Sequence, residues 1–574
     1  MIAGSNDGPT ESINRYPKAS TAKRPAFFLV LALIVVTVAT LACYSFTELM
    51  VAYDDSAYLS ADIVQTRVNT ESAIEAIRLL LAQPKETRPD FGGIYNNPNM
   101  FQAITVSTGA DGTTASNFSV IATDLDETGR YGGIRFGLRD ESAKLNVNTL
   151  PILDQYSDAI MALVPVDDSS TEVLSDSIAV NLLMALPGMT EDVAEAILDW
   201  IDEDDEAREL GVESEYYNTL ATPYDAANGP LQSVEELLLI RGVTPTLLFG
   251  ADANRNGVLD ADEQQRFGVG IETAGALGWA AYLTVHGAES NRREDGSDRV
   301  NVNQDDLELL YDQLMDALGD ESYASYIVAY RIAGQADQAS DVENLNAALG
   351  IDADTAQQTA GEDDAGGGPS QPWAAEALDE LDLSGGGSNQ LGQVLDLIGS
   401  TVSIGQGDSA VSYQSPFAED PISMALYMPL LMDALTTQDS YVTPGRINLN
   451  ECPAELLYGI PLLDSETVDL ILEYRAEETD DVNRHFETWP MVAGLITLDQ
   501  MKILQPLLTG GGDVYSAQIV GYYETSGAFH RTDVLIDATT VNPKIVAQRD
   551  LSHLGRGFDL TTLGIRGLAT ATTQ

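Results

Sequence analysis

Cysteine and histidine are scarce in this chain, which has two cysteines and four histidines in 574 residues. Cys43 lies within an uncharged apolar stretch, far along the sequence from Cys452, so a disulfide framework is excluded. The histidines are scattered, and neither an HExxH nor a GxSxG motif is present. We therefore expect a protein that is not an enzyme and that packs without disulfides.

The shortage of basic residues leaves the chain strongly acidic. Lysine and arginine number 29 against 89 aspartates and glutamates, which gives a formal net charge of −60. Such a field disfavours nucleic acid and anionic lipid as partners, and either concentrated or divalent cations would relieve its self-repulsion. Because 44% of the residues are hydrophobic, we still expect a folded chain, with about three or four structural units for its length.

One long hydrophobic run, from Ala26 to Phe46, carries no charge. At about 1.5 Å per residue it is long enough to cross a hydrocarbon core of about 30 Å. Basic residues precede the run and acidic residues follow it, so the positive-inside rule places the N-terminus in the cytoplasm and the large body outside it. Apolar residues at three- and four-residue intervals continue to Leu81, which predicts that the helix extends beyond the membrane.

A pattern of basic residue, aliphatic residue, asparagine, aliphatic residue and asparagine occurs three times. The copies are KLNVN at 144–148, RVNVN at 299–303 and RINLN at 446–450, which indicates an internal repeat. The first and third copies precede apolar segments around a proline that predict helical hairpins. The segment after the middle copy is looser and suggests a degenerate copy. The centre of the chain is thus predicted to be mainly helical.

Stretches of alternating hydrophobicity flank this helical centre, at residues 100–140 before it and 515–551 after it. We expect them to pair into one sheet. A sheet interrupted by a large helical insertion makes the predicted fold class α+β. Between 352 and 420, runs such as GEDDAGGGPS are typical of a flexible linker.

The segment DANRNGVLDADE, residues 252–263, matches the spacing of an EF-hand-type calcium loop. Oxygen-bearing side chains occupy loop positions one, three, five, nine and twelve, and Gly257 at position six permits the sharp turn. The predicted ligands are Asp252, Asn254, Asn256, the carbonyl of Val258, Asp260 and Glu263. Because the flanking helical segments are short, we expect a structural calcium site rather than a calcium sensor.

A second acidic segment, DWIDEDDE from Asp199 followed by GVESEYY from Gly211, permits two interpretations. Asp199, Asp202 and Glu203 would share one face of a helix and could converge on a cation. A solvated helix end is the alternative, and the spacing alone does not choose between them.

Several segments together resemble the general secretion pathway protein K family, the large minor pseudopilins of type II secretion. These segments are the pilin-like N-terminus, RDESAKLNVNTLP, AILDWIDEDDEARELGVESEYY, NGPLQSVEELLLIRGVTP and RINLNECPAELL. The resemblance extends from Ala26 to about Asp559, apart from the region of the calcium-type loop with the middle repeat and the glycine-rich linker. It implies a long N-terminal transmembrane helix, a small antiparallel sheet and a large inserted helical domain with helix-hairpin-helix-like repeats.

The same resemblance implies a role and partners. A member of this family would cap the pseudopilus tip together with other minor pseudopilins, above the inner-membrane platform of the type II secretion system. It would be a single-pass protein of the bacterial inner membrane with its body in the periplasm. Its role would be to help assemble the periplasmic filament that drives protein export, without any nucleic acid partner.

Prepilin peptidase is a further implied partner. It cuts pilin-like precursors just before the apolar helix, usually after glycine, and the corresponding residues here are Pro25 and Ala26. The resemblance therefore places cleavage after Ala26 and makes Phe27 the first mature residue. Leu31 then stands where most pilins carry a glutamate, as is typical of protein K relatives. A tip subunit has no need of that carboxylate, and an unpaired charge in the bilayer is costly.

These patterns divide the chain into consecutive segments. The predicted segments are a basic cytoplasmic leader (1–26), the transmembrane and continuing helix (27–85), the first strands of the sheet (86–150), an inserted helical domain containing the calcium-type loop (151–351), a Gly/Ser/Asp-rich linker (352–420), a second helical hairpin region (421–510), and C-terminal strands with a tail (511–574).

The hairpins also resemble the helix-hairpin-helix of competence DNA receptors, which leaves a second hypothesis open. In that hypothesis the chain is a membrane-anchored periplasmic scaffold or DNA-binding protein that is not part of a filament. The turns after Gly188 and Gly242 lack the second glycine of a phosphate-binding turn, and Glu191 and Asp192 follow the first turn closely. These carboxylates would repel phosphate, so protein contacts are the expected use of the hairpins.

Overall fold

The computed structural model describes residues 25–108, 115–161, 175–270, 273, 275–335, 370–405, 410–477 and 481–565. The chain separates into two compact units, Met1–Val64 and Gln65–Gln574. The predicted basic leader falls almost entirely outside the described residues.

A single helix, α1, runs from Pro25 to Leu81 over 57 residues. Neither proline nor glycine interrupts it after its first position, and Pro84 follows its end. Every residue from Phe27 to Ala61 is exposed, and an apolar stretch of α1 reaches a mean hydropathy of 2.6. By length and composition, α1 is therefore suited to span a membrane once.

The strands come mainly from the two ends of the second unit and from the edges of the repeats. They are β1 (Ile104–Thr108), β2 (Ala115–Leu125), β3 (Tyr131–Arg135), β4 (Arg139–Asp140), β5 (Leu145–Asn146), β6 (Leu283–Thr284), β7 (Ala288–Ser290), β8 (Val300–Asn301), β9 (Gln371–Pro372), β10 (Thr401–Ile404), β11 (Val411–Gln414), β12 (Leu435–Thr436), β13 (Val442–Pro444), β14 (Ile447–Asn448), β15 (Leu508–Thr509), β16 (Val514–Tyr523), β17 (Phe529–Asp537) and β18 (Lys544–Asp550).

The largest sheet has seven strands in the order β1-β2-β16-β17-β18, with β3 paired to β2 and β4 paired to β16. All of these pairings are antiparallel. Strands that lie before and after the helical centre in sequence thus meet in one sheet. The predicted α+β class, with an antiparallel sheet interrupted by a helical insertion, is confirmed.

The last turns of α1 pack on one face of this sheet. Ile77 of α1 is buried together with Phe118 of β2 and Ile519 of β16. Gly521 of β16 permits the close approach, since a Cβ atom at this position would lie 2.2 Å from the carbonyl oxygen of Thr66. The apolar periodicity that continues to Leu81 is therefore the contact face of the helix with the sheet.

The remaining α-helices are short and lie mostly between the two halves of the sheet. They span Pro98–Phe101, Leu150–Asp154, Ser157–Met161, Ile178–Met184, Glu191–Ile201, Ser214–Tyr217, Pro245–Phe249, Ala261–Phe267, Leu307–Leu318, Glu321–Ala333, Pro421–Ala434, Ala454–Tyr458, Ser465–Ala476, Trp489–Val492 and Leu498–Leu504. Apart from Pro98–Phe101 and Ala261–Phe267, these helices contribute apolar residues to one hydrophobic core that extends from Leu145 to Leu508. The described residues of the predicted segments 151–351 and 421–510 thus share this core.

The three pentapeptide copies have the same structure. Each forms a short strand that pairs in parallel with a later one, β5 with β6, β8 with β12 and β14 with β15. In each copy the side chain of the first asparagine accepts a hydrogen bond from the backbone N–H of the second, at 2.8 to 3.0 Å. The sequence repeat is therefore a structural repeat, and the middle copy is not degenerate at this motif.

The second asparagine of a copy clamps a distant segment of the same repeat. Asn148 donates from Nδ2 to the carbonyl oxygen of Leu231 at 3.0 Å and accepts from its N–H at 2.8 Å. Asn303 makes the same two bonds with Leu391, both at 2.9 Å. The two clamps join residues that are 83 and 88 positions apart in sequence.

The predicted flexible linker at 352–420 is folded in its described part, and the clamp at Asn303 binds to it at Leu391. Residues 370–405 and 410–420 are folded, and Leu395, Leu397 and Phe417 are fully buried. The composition was misleading because the apolar residues of this segment complete the middle repeat, in the position that residues 231–240 occupy in the first. The predicted linker before residue 370 lies outside the described residues.

Each repeat contains two turns with a residue in the left-handed conformation. These residues are Gly188 and Gly242, Gly319 and Gly399, and Leu462 and Gly494, with φ between +65° and +85°. Glycine adopts this conformation without the steric cost that a Cβ atom imposes. Leu462 is the exception, and its side chain packs against the core of the insert.

Replacing Gly319 by alanine is expected to destabilise the protein by about 1–2 kcal/mol, because φ is +66° at this position. The added methyl group itself has room, since nothing lies within 4 Å of it. Urea unfolding of the detergent-solubilised protein measures the change. Gly133→Ala is the matched control, because its Cβ is equally free and its φ lies outside the left-handed region. An equal loss in both variants would contradict the backbone explanation.

Candidate functional site

The calcium-type loop, residues 252–263, follows the helix Pro245–Phe249 and leads into the helix Ala261–Phe267. Its turn is tight, with φ of +55° at Arg255 and +78° at Gly257. The flanking helices have five and seven residues, so they do not form the long helix pair of a calcium sensor.

The first and last ligand positions close the loop. The carboxylate of Asp252 accepts from the N–H groups of Asn256 at 3.1 Å and Gly257 at 2.8 Å. The carboxylate of Glu263 accepts from the N–H groups of Ala253 at 2.9 Å and Asn254 at 3.1 Å. Asp252 and Glu263 are both buried, so the loop holds its negative charge inside the protein.

The remaining side-chain positions join these two carboxylates. Asn254 and Asn256 donate from their amides to one oxygen of Asp260, at 2.7 and 3.1 Å. The N–H of Asp260 in turn donates to Glu263 at 3.1 Å. Hydrogen bonds thus connect all five predicted side-chain ligands around one short loop. Carboxylate, amide and carbonyl oxygens in this number are the donor set that calcium prefers.

The electrostatics of the loop favour a positive charge. The pKa of Asp252 is raised to about 6, because burial and the neighbouring carboxylate of Glu263 outweigh the opposing hydrogen bonds from the N–H groups of Gly257 and Asn256. Burying a carboxylate is costly unless a counter-charge compensates for the lost hydration. A cation held by the predicted ligands would supply that compensation.

A second group of carboxylates lies at the end of the helix Glu191–Ile201. Oxygens of Asp202, Asp204 and Glu213 all lie within 4.8 Å of one another. Helical spacing had placed Glu203 in this group, but Glu203 is exposed and Glu213 arrives from the following loop instead. Helix periodicity could not indicate Glu213, because a turn in the chain brings it back to the helix end.

Arg208 compensates part of the negative charge in this acidic cluster. Its guanidinium group contacts Asp202 at 2.7 Å, Asp199 at 2.9 Å and Asp154 at 3.3 Å. Asp199 is fully buried, so this network accounts for one carboxylate that the sequence had offered as a cation ligand. Its role in the structure is to pair with Arg208.

Glu213 is the unpaired member of the cluster. It is 6% exposed, and neither of its carboxylate oxygens has a hydrogen-bond partner. Oδ1 of Asp202 is also buried without a partner. The pKa of Glu213 is raised to about 7, first by burial and then by the charges of Asp199 and Asp202. A cation between Asp202, Asp204 and Glu213 would supply the contacts that these oxygens lack.

The predicted processing residues lie elsewhere in the chain. Ala26 and Phe27 are in the first turn of α1, and the Phe27 side chain is exposed. They belong to the first compact unit, whereas both acidic sites belong to the second.

Comparison with known proteins supports the resemblance read from the motifs. Residues 143–249 match the family model of the type II secretion system (T2SS), protein K. No curated protein matches the chain. A chain in the crystal structure of the GspK-GspI-GspJ complex from the enterotoxigenic Escherichia coli type 2 secretion system is 12% identical, with 86% of this chain and 98% of that chain covered and a TM-score of 0.27.

The long apolar helix, the antiparallel sheet and the inserted repeats define a class, that of an α+β protein with an N-terminal helix suited to span a membrane and a large helical insert. Within that class, residues 143–249 of this chain are similar to a domain of protein K of the type II secretion system. The matched region includes the first repeat and the acidic cluster, and it ends before the calcium-type loop.

Calcium titration by calorimetry is expected to detect binding at the loop, and Glu263→Gln should weaken it about tenfold or more, because the residue at position twelve normally supplies two ligand oxygens. Asp262→Asn is the matched control, since it removes an exposed neighbouring carboxylate that is not a predicted ligand. Equal losses in both variants would mean that acidity alone, rather than loop geometry, attracts the ion.

Glu213→Gln is expected to remove a separate calcium-binding event and to leave the one at the loop intact. The reason is that Glu213 supplies two of the buried carboxylate oxygens in the acidic cluster that have no hydrogen-bond partner. The same titration counts the bound ions, and the exposed Glu203→Gln serves as the control. If Glu213→Gln binds as many ions as the unmodified protein, the cluster holds none.

Proposed function

We propose that this protein sits at the tip of a type II secretion pseudopilus and helps to assemble the filament that drives protein export. The observation that carries the proposal is the match of residues 143–249 to protein K, in a chain whose N-terminal helix is long enough to span a membrane. A tip position suits the large insert, because a bulky insertion is most easily accommodated where no further subunit is stacked above it.

The proposed location is the bacterial inner membrane, with the body in the periplasm. Support comes from the charge distribution, since Arg15, Lys18, Lys23 and Arg24 precede the apolar run and Glu48 follows it. The absence of an ionisable side chain between Ala26 and Phe46, cysteine and tyrosine apart, also suits a helix held in lipid.

The proposed partners are other minor pseudopilins, the inner-membrane platform and, during maturation, prepilin peptidase. The relative of known structure is described as a complex of GspK with GspI and GspJ. In a pilin-like protein, contacts with such partners would use the exposed part of α1, which carries large apolar side chains beyond the membrane-spanning stretch, such as Leu49 and Tyr53.

Calcium is the proposed cofactor, in a structural rather than a catalytic role. Asp252, Asn254, Asn256, Asp260, Glu263 and the carbonyl of Val258 would hold one ion, and Asp202, Asp204 and Glu213 would hold another. Each ion would supply positive charge to buried carboxylates, which is a stabilising function. A periplasmic body can draw on external calcium for both sites.

The alternative of a DNA-binding scaffold gains no support from the hairpins. Glu191 and Asp192 are exposed at the start of the helix that follows the Gly188 turn, where a phosphate group would have to approach. Two carboxylates at that position oppose the attraction between a helix N-terminus and an anion. Protein contacts remain the proposed use of the exposed hairpin surfaces.

The mature N-terminus tests the proposal most directly. Mass spectrometry of membrane-purified protein is expected to find N-methylated Phe27, because prepilin peptidase removes the leader and methylates the new terminus. An intact leader would leave an anchored scaffold that is not built into a filament.

The variant Ala26→Ile tests whether cleavage depends on the residue at position 26. A bulky residue at the cleavage position is expected to block processing, so the leader should remain on this variant. Ala32→Ile makes the same change within the apolar helix and should be processed normally. Loss of processing in both would point to a general insertion defect instead of recognition at Ala26.

A further inference from the structure

The calcium-type loop is held by the sheet as well as by the insert that contains it. Arg531 of β17 is fully buried and donates from its guanidinium group to the carbonyl oxygens of Asn254 at 2.9 Å and Arg255 at 2.6 Å. Asn254 is a predicted ligand, and Arg255 lies between two predicted ligands. A strand of the seven-stranded sheet, hereafter the pseudopilin sheet, thus forms hydrogen bonds with the main chain of the loop.

Gln518 of β16 completes this grip. Its Nε2 donates to the same carbonyl oxygen of Arg255 at 2.6 Å, and its Oε1 accepts from Arg531 at 2.7 and 3.1 Å. The arginine and the glutamine are therefore locked to each other as well as to the loop. Two adjacent strands hold one peptide of the loop in a fixed position.

The turn at the middle of the loop fits against a third strand and the C-terminal segment. A Cβ atom on Gly257 would lie 2.2 Å from a methyl carbon of Thr123 in β2, so only glycine fits there. The side-chain amide of Asn256, another predicted ligand, donates to the carbonyl oxygen of Gly557 at 2.7 Å. The loop occupies a socket formed by β2, β16, β17 and the segment around Gly557.

The socket depends on the shape of the loop. Asp252, Asp260 and Glu263 repel one another when no cation is present, and this repulsion favours a more open loop. Opening would move the carbonyls of residues 254 and 255 away from Arg531 and Gln518. Arg531 would then be a buried guanidinium that has lost hydrogen-bond partners, which is unfavourable.

We infer that a cation in loop 252–263 locks the helical insert onto the pseudopilin sheet through Arg531 and Gln518. The inference rests on the proposal that this loop binds calcium, and it adds a regulatory consequence. Calcium and sheet docking each stabilise the same loop conformation, so each strengthens the other. The stability of the contact between the insert and the sheet at the filament tip would then depend on the calcium concentration outside the cytoplasm.

Hydrogen exchange followed by mass spectrometry on the full, detergent-solubilised chain tests this coupling. Adding calcium is expected to slow exchange about tenfold at the backbone amides of β16 and β17 near Gln518 and Arg531. Glu263→Gln should shift the slowing to calcium concentrations about tenfold or more higher, because it weakens binding of the ion. The same samples are titrated with calcium by calorimetry, so binding and coupling are measured separately.

Arg531→Met is expected to keep calcium binding, since the predicted ligands are intact, but to lose the effect of calcium on the strands. Arg88→Met is the matched control, because Arg88 is also buried and also donates to main-chain carbonyls, those of Leu81 and Gln83, without contacting the loop. If Arg531→Met does not fold, Gln518→Ala removes half of the grip with a smaller perturbation and should reduce the effect.

The possible outcomes separate the two proposals. Calcium binding that leaves the exchange of β16 and β17 unchanged would overturn the coupling and leave the calcium site standing. An undiminished calcium effect in Arg531→Met or Gln518→Ala would overturn it as well. A complete lack of calcium binding at the loop would overturn the calcium proposal, and the coupling with it.

Discussion

The fold depends on closing a very long insertion, and the buried carboxylate of Asp140 is where its two ends meet. The chain leaves the sheet after β4 and returns just before β16. Asp140 accepts from the N–H of Gly512 at 2.6 Å and from the side-chain amide of Asn448 at 2.8 Å. Asn448 belongs to the third pentapeptide, so one carboxylate joins the first half of the sheet, the last repeat and the returning strand. This closure lies directly beside the pairing of β4 with β16.

Inside the insert, asparagine side chains also join segments that are far apart in sequence. In each pentapeptide, the side chain of the first asparagine accepts a hydrogen bond from the backbone of its own turn. In the first two copies, the second asparagine also bonds both the N–H and the carbonyl oxygen of a distant leucine. Such clamps satisfy buried backbone groups that short helices leave unpaired. They also let the two halves of a repeat lie far apart in sequence, as Asn303 and Leu391 do.

The insert contains buried carboxylates whose negative charge is only partly compensated. A chain of net charge −60 places buried carboxylates at two positions of its insert, and arginines supply only part of the compensation. At the acidic cluster, Arg208 pairs with its neighbours but Glu213 stays unpaired. At the loop, Arg531 binds main-chain carbonyls instead of carboxylates. Both positions therefore keep buried negative charge that the neighbouring arginines do not fully compensate.

The sequence by itself determined the features that depend on neighbouring residues. The charge-free run predicted the membrane-suited helix, alternation predicted the strands of the sheet, and the pentapeptides predicted the repeat, because each is a local periodicity or a short motif. Only the tertiary structure decided that residues 391–404 belong to the middle repeat, that Glu213 joins Asp202, and that Arg531 grips the calcium-type loop. Those contacts join residues up to 277 positions apart, so their partners are selected by packing and hydrogen bonding rather than by any local pattern.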